Sequence, residues 1–175
     1  MVLVIPGGTG ARNAARAKGC RTRGFRLERA PHMARERTLS IIKPDAVEKN
    51  HTGAIVARLE QEGFLVCAMK RIHLTRPQAE GFYAEHKGRG FFDELCTFMS
   101  RGPIVVMALE REGAVAKYRE VIGATDPAKA DANTVRKLYG ANVGENAVHG
   151  SDKVETAIRE IGYFFAGYEV APAAH

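Results

Sequence analysis

The amino-acid sequence predicts an α+β fold, a ferredoxin-like β-α-β-β-α-β sandwich whose antiparallel four-stranded sheet is covered by additional helices. Short apolar runs typical of buried strands alternate along the chain with segments of helical periodicity. Threonine, proline and glycine residues stand where those segments are expected to begin and end. After Met33 no internal repeat or low-complexity tract interrupts this order, so one domain is expected over 33–175.

Four segments are predicted to be strands because they are short and apolar. Pro44 is expected to end the first strand, since a proline disfavours regular pairing at its own position and just before it. The fourth strand is only a short piece, AVHG, which follows a glycine-containing loop. The strands are predicted at 38–42, 64–74, 103–110 and 147–150.

Helices are predicted between these strands from the spacing of apolar residues and from residues that suit helix ends. Thr52 is a candidate N-cap for a helix at 53–63, in which apolar residues recur at helical spacing. Thr75, which is followed by the early proline Pro77, is expected to open a helix that runs to about Lys87.

Near the C-terminus, Asp152 and Glu155 resemble a capping box for a helix that ends at about Gly162. Three further helices are expected in segments that end at glycine, and the aromatic pair Phe91–Phe92 opens the first of them. Their sequences are FFDELCTFMSRG, EGAVAKYREVIG and ADANTVRKLYG.

The net charge of +6 belongs to the N-terminal segment and not to the predicted domain. Seven basic residues and one acid precede Met33, whereas 19 bases and 19 acids are found from Met33 onward. A neutral domain exerts no broad attraction on a polyanion, so nucleic acid is not expected as the primary partner. No apolar run approaches the roughly 20 residues of a membrane span, so no membrane partner is expected either.

Residues 1–32 are predicted to be a basic, disordered N-terminal extension or the product of an upstream start. Two alternatives stay open, namely an organelle transit peptide and a fragment of a nucleotide-binding fold that lacks the third glycine of its fingerprint. The three cysteines are odd in number and form no CxxC pair, which indicates a reduced intracellular protein. The expected location is cytoplasmic, or organellar if 1–32 act as a transit peptide.

Zinc-ligand spacings, the GxSxG elbow and the P-loop are absent from the sequence. Phosphates could instead be held by scattered residues, because Lys43 ends a strand while Arg119 and Arg136 lie on helices near Thr125. Each of these cations, taken alone, is more often a solvated surface charge. Taken alone, either ring of Phe91–Phe92 is more often packed in the core, and the functional alternative is a surface on which a base stacks.

His149 lies just before the start of a predicted helix, and its neighbours favour a functional role over a packed loop histidine. Gly150 permits a close approach or an unusual backbone conformation. Ser151 and Asp152 lead into a helix N-terminus, which attracts anions. Glu160, on the same helix, could bind one ring nitrogen and leave the other free as a nucleophile.

The segment NAVHGSD resembles the N-x-x-H-G-S-D signature of the nucleoside diphosphate kinase family, which is highly specific. Other segments agree in order, and the resemblance extends from about Glu36 to Phe165. The chain ends soon after GYEVAP, as in bacterial-type members. These segments include ERTLSIIKPDAV, GFYAEH, GFFDELCTFMSRGPIVVMALE, IGATDPAKA and SDKVETAIREIGYFF.

The resemblance implies a ping-pong reaction catalysed through a phosphohistidine. His149 would take the terminal phosphoryl group of a nucleoside triphosphate, such as ATP or GTP, and pass it to a nucleoside diphosphate. Glu160 and Ser151 would orient the imidazole, and Lys43 would act in both catalysis and nucleotide binding.

The resemblance also implies how the nucleotide is held. Phe91 would stack on the base from one side with Val143 near the other, and Mg²⁺ would be the cofactor, carried by the nucleotide phosphates and not by a protein metal site. The family further implies a homo-oligomer, a tetramer with a hexamer as the alternative. The implied nucleotide-binding residues are Lys43, Tyr83, Phe91, Arg119, Thr125, Arg136, Val143 and Asn146.

Three positions depart from the family pattern. Asn133 replaces a glycine, Leu138 stands where an acid is common, and Gly90 stands where proline is frequent. Because Arg136 is kept, the phosphate contact is expected to survive. Two other hypotheses remain, a non-catalytic nucleotide-binding module of the same fold and a nucleic-acid-binding protein that uses the basic extension.

Overall fold

The computed structural model describes residues 35–171, so the predicted extension at 1–32 lies outside the described residues. The strands are β1 (Arg35–Ile42), β2 (Leu65–His73), β3 (Pro103–Glu112) and β4 (Val148–Gly150). The helices are α1 (Pro44–Glu48), α2 (Thr52–Gln61), α3 (Arg76–Phe82), α4 (Phe92–Met99), α5 (Ala114–Ile122), α6 (Val135–Tyr139) and α7 (Val154–Phe164). Single 3₁₀ turns lie at Ala84–His86 and Gly167–Glu169.

The four strands form one antiparallel sheet in the order β2-β3-β1-β4. With the helices packed on it, this sheet confirms the predicted α+β, ferredoxin-like class. The first of the described strands, β1, therefore lies inside the sheet. Strand β4 pairs along the carboxyl end of β1, with Ile41 opposite His149. This pairing places the histidine beside the strand that leads to Lys43.

Helices cover both faces of the sheet, so the side chains of β3 are buried on both sides and its sequence is a continuous apolar run. Met107 and its neighbours at alternate positions pack in a core with α2 and α5, including Leu59 and Tyr118. Val106 and its alternate neighbours pack in a second core with α3 and α4, including Phe82. Within residues 35–171, no helix is long and apolar enough to cross a membrane.

Pro44 ends β1 as predicted, but it also lies in the first turn of α1, a helix that the sequence pattern did not predict. A proline is well tolerated there because its missing N–H has no partner within the helix anyway. Five residues are too few to show periodicity. β1 itself begins at Arg35, three residues before the predicted strand.

The helix boundaries of the structure can be compared with the predicted N-caps and helix ends. Thr75 is the N-cap of α3, with Gln78 completing a capping box, so this prediction is confirmed. The predicted extent to Lys87 is wrong, because α3 ends at Phe82 and only a 3₁₀ turn follows. The chain leaves helical geometry at Lys87, whose ψ is 131°, and Gly88 follows with φ of +88°.

Two other predicted caps are wrong. His51 is the residue at the N-cap of α2, and Thr52 is already helical. Lys153, in an extended conformation, is the N-cap of α7, and no side chain caps it. Asp152 instead hydrogen-bonds the side chain of Thr156, which lowers the pKa of Asp152.

Candidate active site

His149 is the central residue of β4 and points its ring towards the helices on one face of the sheet. The ring packs edge-on against Phe82 and Tyr83, with centroids 5.5 and 5.9 Å away. Its side chain keeps 21% of its surface exposed. The imidazole is therefore held by aromatic neighbours and still reachable from solvent.

Gly150 allows β4 to lie directly on α5. A Cβ at this position would overlap the ring of Tyr118, which is fully buried. The Tyr118 hydroxyl donates to the carbonyl of His149 at 3.2 Å and shares a 2.6 Å hydrogen bond with Ser40. Of the two reasons considered for this glycine, the structure supports the close approach, since its φ is not positive.

Ala147, two residues before the histidine, has a left-handed backbone conformation with φ of +66° although it is buried. Its N–H donates to Asp45 Oδ2 at 3.0 Å, and its carbonyl accepts from the N–H of Lys43 at 2.8 Å. These two contacts offset the strain and fix the turn into β4. Asp45 is thus a structural residue of the site that sequence reasoning missed.

Glu160 lies on α7 with its carboxylate buried between His149 and Ser151. Its Oε1 is 3.1 Å from Nε2 of His149, and its Oε2 accepts from the Ser151 hydroxyl at 2.6 Å. Burial alone raises the pKa of Glu160, but the hydrogen bonds from His149 and Ser151 outweigh it and leave the pKa lowered. An ionised carboxylate at Nε2 fixes a proton there, so Nδ1 is left with a free lone pair.

Lys43 and Asn146 meet beside β4. The Lys43 ammonium donates to Asn146 Oδ1 at 2.7 Å, and Asn146 Nδ2 donates to the carbonyls of Thr125 and Val143 at 3.1 and 2.9 Å. Burial, together with repulsion from Arg136, lowers the pKa of Lys43 to about 8. The amide of Asn146 thereby joins three of the residues predicted to contact a nucleotide.

Arg136 reaches from α6 to the same place. Its guanidinium donates to the carbonyls of Gly123 and Val148 at 2.9 and 3.1 Å, and its Nε has no partner. Burial lowers its pKa, and the exposed Arg119 lies close enough to lower it further. The structure therefore brings Lys43, Arg119 and Arg136 to one region next to His149.

Tyr83 and Phe91 form the side of the site on the α3–α4 hairpin. The Tyr83 hydroxyl is buried without a partner, and burial raises its pKa far above the ordinary value. His86, which sequence reasoning missed, stacks on Tyr83 and contacts Phe91 edge-on at 5.5 Å. Its position in EHKGRGFF, five residues before Phe91, was the available signal.

Two predicted base contacts are strongly exposed. Phe91 keeps 47% and Val143 keeps 56% of its surface exposed to solvent. Phe91 and Val143 form no hydrogen bond or ring contact with each other. An exposed aromatic ring at a helix start is more consistent with a stacking surface than with core packing. Phe92, in contrast, packs against the core.

The structure shows what surrounds the three residues that depart from the family pattern. Asn133 has φ of +68°, a conformation that glycine adopts freely and asparagine tolerates better than most residues. Leu138 is 53% exposed on α6, so an acid there would not be buried. A Cβ at Gly90 would meet no atom within 4 Å, so this position faces open space.

No group of three or more histidine, cysteine, aspartate or glutamate side chains is placed to hold a metal ion within residues 35–171. The site is instead rich in cations and hydrogen-bond donors. Such a set suits phosphate oxygens, which can themselves carry a divalent cation.

Comparisons with known proteins agree on one family. The model of the family described as nucleoside diphosphate kinase matches residues 36–170. The chain is 85% identical over 142 residues to a nucleoside diphosphate kinase of Sorangium cellulosum (strain So ce56), covering 81% of this chain and 99% of that protein. It is 61% identical over 138 residues to the one of Rhodopseudomonas palustris (strain HaA2), covering 79% and 99%.

Solved structures give the same result. A crystal form of the Aquifex aeolicus nucleoside diphosphate kinase superposes with a TM-score of 0.77 at 45% identity, over 79% of this chain and all of that chain. The halophilic enzyme of Halobacterium salinarum in complex with CDP superposes with a TM-score of 0.78 at 36% identity, over 81% and 95%.

Proposed function

The chain belongs to the nucleoside diphosphate kinase family and is a phosphotransferase between nucleoside triphosphates and diphosphates, and we propose that His149 carries the phosphoryl group from one nucleotide to the other. The observation that supports this role most is the contact of Glu160 with Nε2, which leaves Nδ1 as the reactive nitrogen. The partly exposed imidazole can be reached by a phosphate.

In the first half-reaction, the lone pair of Nδ1 forms a bond to the terminal phosphorus. The bond from that phosphorus to the bridging oxygen breaks, and the nucleoside diphosphate leaves with the electron pair. In the second half-reaction, a terminal oxygen of another diphosphate attacks the same phosphorus, and the electron pair of the broken P–N bond returns to Nδ1. Glu160 stabilises the positive charge that develops on the ring.

The cationic residues around His149 are proposed to hold the phosphates. Arg136 has a free Nε, and Lys43 and Arg119 add two further charges on the same side. The buried, unpartnered hydroxyl of Tyr83 supplies a donor beside the imidazole. Thr125 and Asn146, which are already joined by a hydrogen bond, complete the contacts to phosphate and sugar.

The base is proposed to bind between Phe91 and Val143, whose exposure supports stacking without reading of base edges. Such a contact accepts ATP, GTP and other nucleotides alike. Mg²⁺ is the proposed cofactor, and when bound to the nucleotide phosphates it neutralises part of their charge. The cation-rich donor set of Lys43, Arg119 and Arg136 fits a nucleotide that brings its own divalent ion.

Incubation with ATP labelled in its terminal phosphate tests the nucleophile. The chain should acquire label that is acid-labile and alkali-stable, and this label should pass to added nucleoside diphosphate. His149→Ala should acquire none, whereas His73→Asn, which replaces an exposed histidine bonded to the Ser100 carbonyl, should behave as the wild type. Normal labelling and transfer by His149→Ala would show that the assignment is wrong.

A homo-oligomer is also proposed, a tetramer with a hexamer as the alternative. β2 is an edge strand that exposes Met69 and Leu65, and apolar edges of this kind are commonly covered by another chain. Light scattering after size-exclusion chromatography measures the mass directly. The cytoplasm stays our prediction for the location, with an organelle as the alternative if 1–32 act as a transit peptide.

A further inference from the structure

Arg101, in the turn between α4 and β3, joins two carboxylates that come from distant parts of the chain. Its Nε and Nη2 donate to both oxygens of Glu48, at 3.1 and 2.9 Å. Its Nη1 donates to Glu145 at 2.5 Å. The guanidinium also lies 4.7 Å from the centre of the Phe98 ring, which restricts it to this position.

The two carboxylates flank the pair that is proposed to hold the nucleotide. Glu48 is the last residue of α1, the helix that starts directly after Lys43. Glu145 directly precedes Asn146 in the sequence. Arg101 therefore connects the segment that begins at Lys43 to the loop that leads into Asn146. A direct hydrogen bond also joins Lys43 to Asn146.

The loop at 141–145 has little else to hold it. Its own hydrogen bonds close it on itself, since Ala141 donates to the carbonyl of Glu145 and the N–H groups of Gly144 and Glu145 donate to Asn142. Within residues 35–171, two residues make side-chain hydrogen bonds that connect this loop to the rest of the protein. One is Asn146, and the other is Arg101, which binds Glu145.

We propose that Arg101 is a positioning residue for the nucleotide: its bonds to Glu48 and Glu145 hold Lys43 and Asn146 in register. The proposal rests on the proposed function in one respect, namely that these two residues contact the nucleotide. Arg101 itself touches no reacting atom, so its loss should weaken nucleotide binding and leave the rate of phosphoryl transfer at saturation unchanged.

Single-turnover labelling of the full chain by ATP separates the two effects. In Arg101→Met, the ATP concentration that gives half of the maximal labelling rate should rise on the order of threefold to tenfold, because two partly exposed ion pairs and one cation–π contact are lost. The maximal rate should stay within about twofold of the wild type. Glu145→Gln, a mild change at a partly exposed residue, should reproduce most of the rise.

Lys117→Met is the matched control, since Lys117 also bridges two carboxylates, those of Glu62, the residue after α2, and of Glu120 on its own helix α5. It should leave the half-saturating concentration unchanged. The half-saturating ATP concentration of the double variant of Arg101 and Glu145 should be no higher than that of Arg101→Met alone, because both changes remove the same ion pair.

Two results would overturn the proposal: an unchanged half-saturating ATP concentration in Arg101→Met, whatever its maximal rate, or an unchanged half-saturating concentration in Glu145→Gln. Each of these presupposes that the wild type is labelled through His149. Failure of the proposed function would appear separately, as a wild type without label or a His149→Ala variant with it.

Discussion

Replacing Ser151 with alanine removes one hydroxyl that serves two buried partners. This hydroxyl donates to Glu160 Oε2 at 2.6 Å and accepts from the backbone N–H of Leu39 at 3.2 Å. Loss of a hydrogen bond to a charged group costs about 1.5–3 kcal/mol, and a buried N–H left unpaired costs about 1–3 kcal/mol. We expect Ser151→Ala to lower the free energy of unfolding by about 3 kcal/mol, since local relaxation recovers part of the sum.

Urea unfolding followed by circular dichroism at fixed protein concentration measures this loss. Ser100→Ala is the control, because its hydroxyl donates only to carbonyls in the last turn of α4, and its loss should stay below about 1 kcal/mol. A Ser151→Ala variant no less stable than Ser100→Ala would show that the Ser151 hydroxyl does not stabilise its two buried partners.

The same variant has a predicted pH dependence. Burial raises the pKa of Glu160, but its hydrogen bonds lower it by more, so the carboxylate stabilises the fold above its unfolded pKa of about 4.3. That contribution is lost as the pH falls through the lowered folded pKa. The difference in stability between Ser151→Ala and the wild type should therefore shrink in acid and be constant near neutrality.

Substitutions of Gly150, Asn133 and Lys43 have distinct expected effects. Gly150→Ala should lower stability by about 1–3 kcal/mol, because the new Cβ overlaps the buried Tyr118 ring; an unchanged thermal midpoint would contradict this. Asn133→Ala should lower the free energy of unfolding by about 1 kcal/mol, whereas Asn133→Gly should not, because φ is +68°; urea titrations of equal midpoint would argue against a strained backbone. Lys43 has its pKa lowered to about 8, first by burial and then by Arg136, so labelling at subsaturating ATP should fall above about pH 8 in the wild type and stay level in Lys43→Arg. Because burial favours the neutral amine, the free energy of unfolding of the wild type should rise between about pH 8 and about pH 10.5 relative to that of Lys43→Arg. The absence of this rise would count against a lowered pKa of Lys43.

The fold class could be predicted because strand and helix patterns in this chain agree with their final environment. The continuous apolar run of β3 is covered on both faces, and Thr75 caps the helix whose start it marks. The misses have local causes. α1 is too short to show periodicity, and Asp152 satisfies its carboxylate with Thr156 instead of capping α7.

The candidate site could be predicted in part, because His149 and Glu160 are eleven residues apart and the contact between them follows from local geometry. Their chemical roles stay predictions. Asp45 and Tyr118 could not be found in the same way, since each contacts the β4 region from a distant part of the chain. Nothing in the sequence near Arg101 indicates its two carboxylate partners either.

The strand order β2-β3-β1-β4 has a consequence for the timing of synthesis. Lys43 leaves the ribosome early, and its partner Asn146 follows 103 residues later. Until β4 is added, one edge of β1 stays open, and neither Asn146 nor His149 lies beside Lys43. Glu160 follows β4 on α7, so the proposed active site is assembled only when both of these last elements have folded.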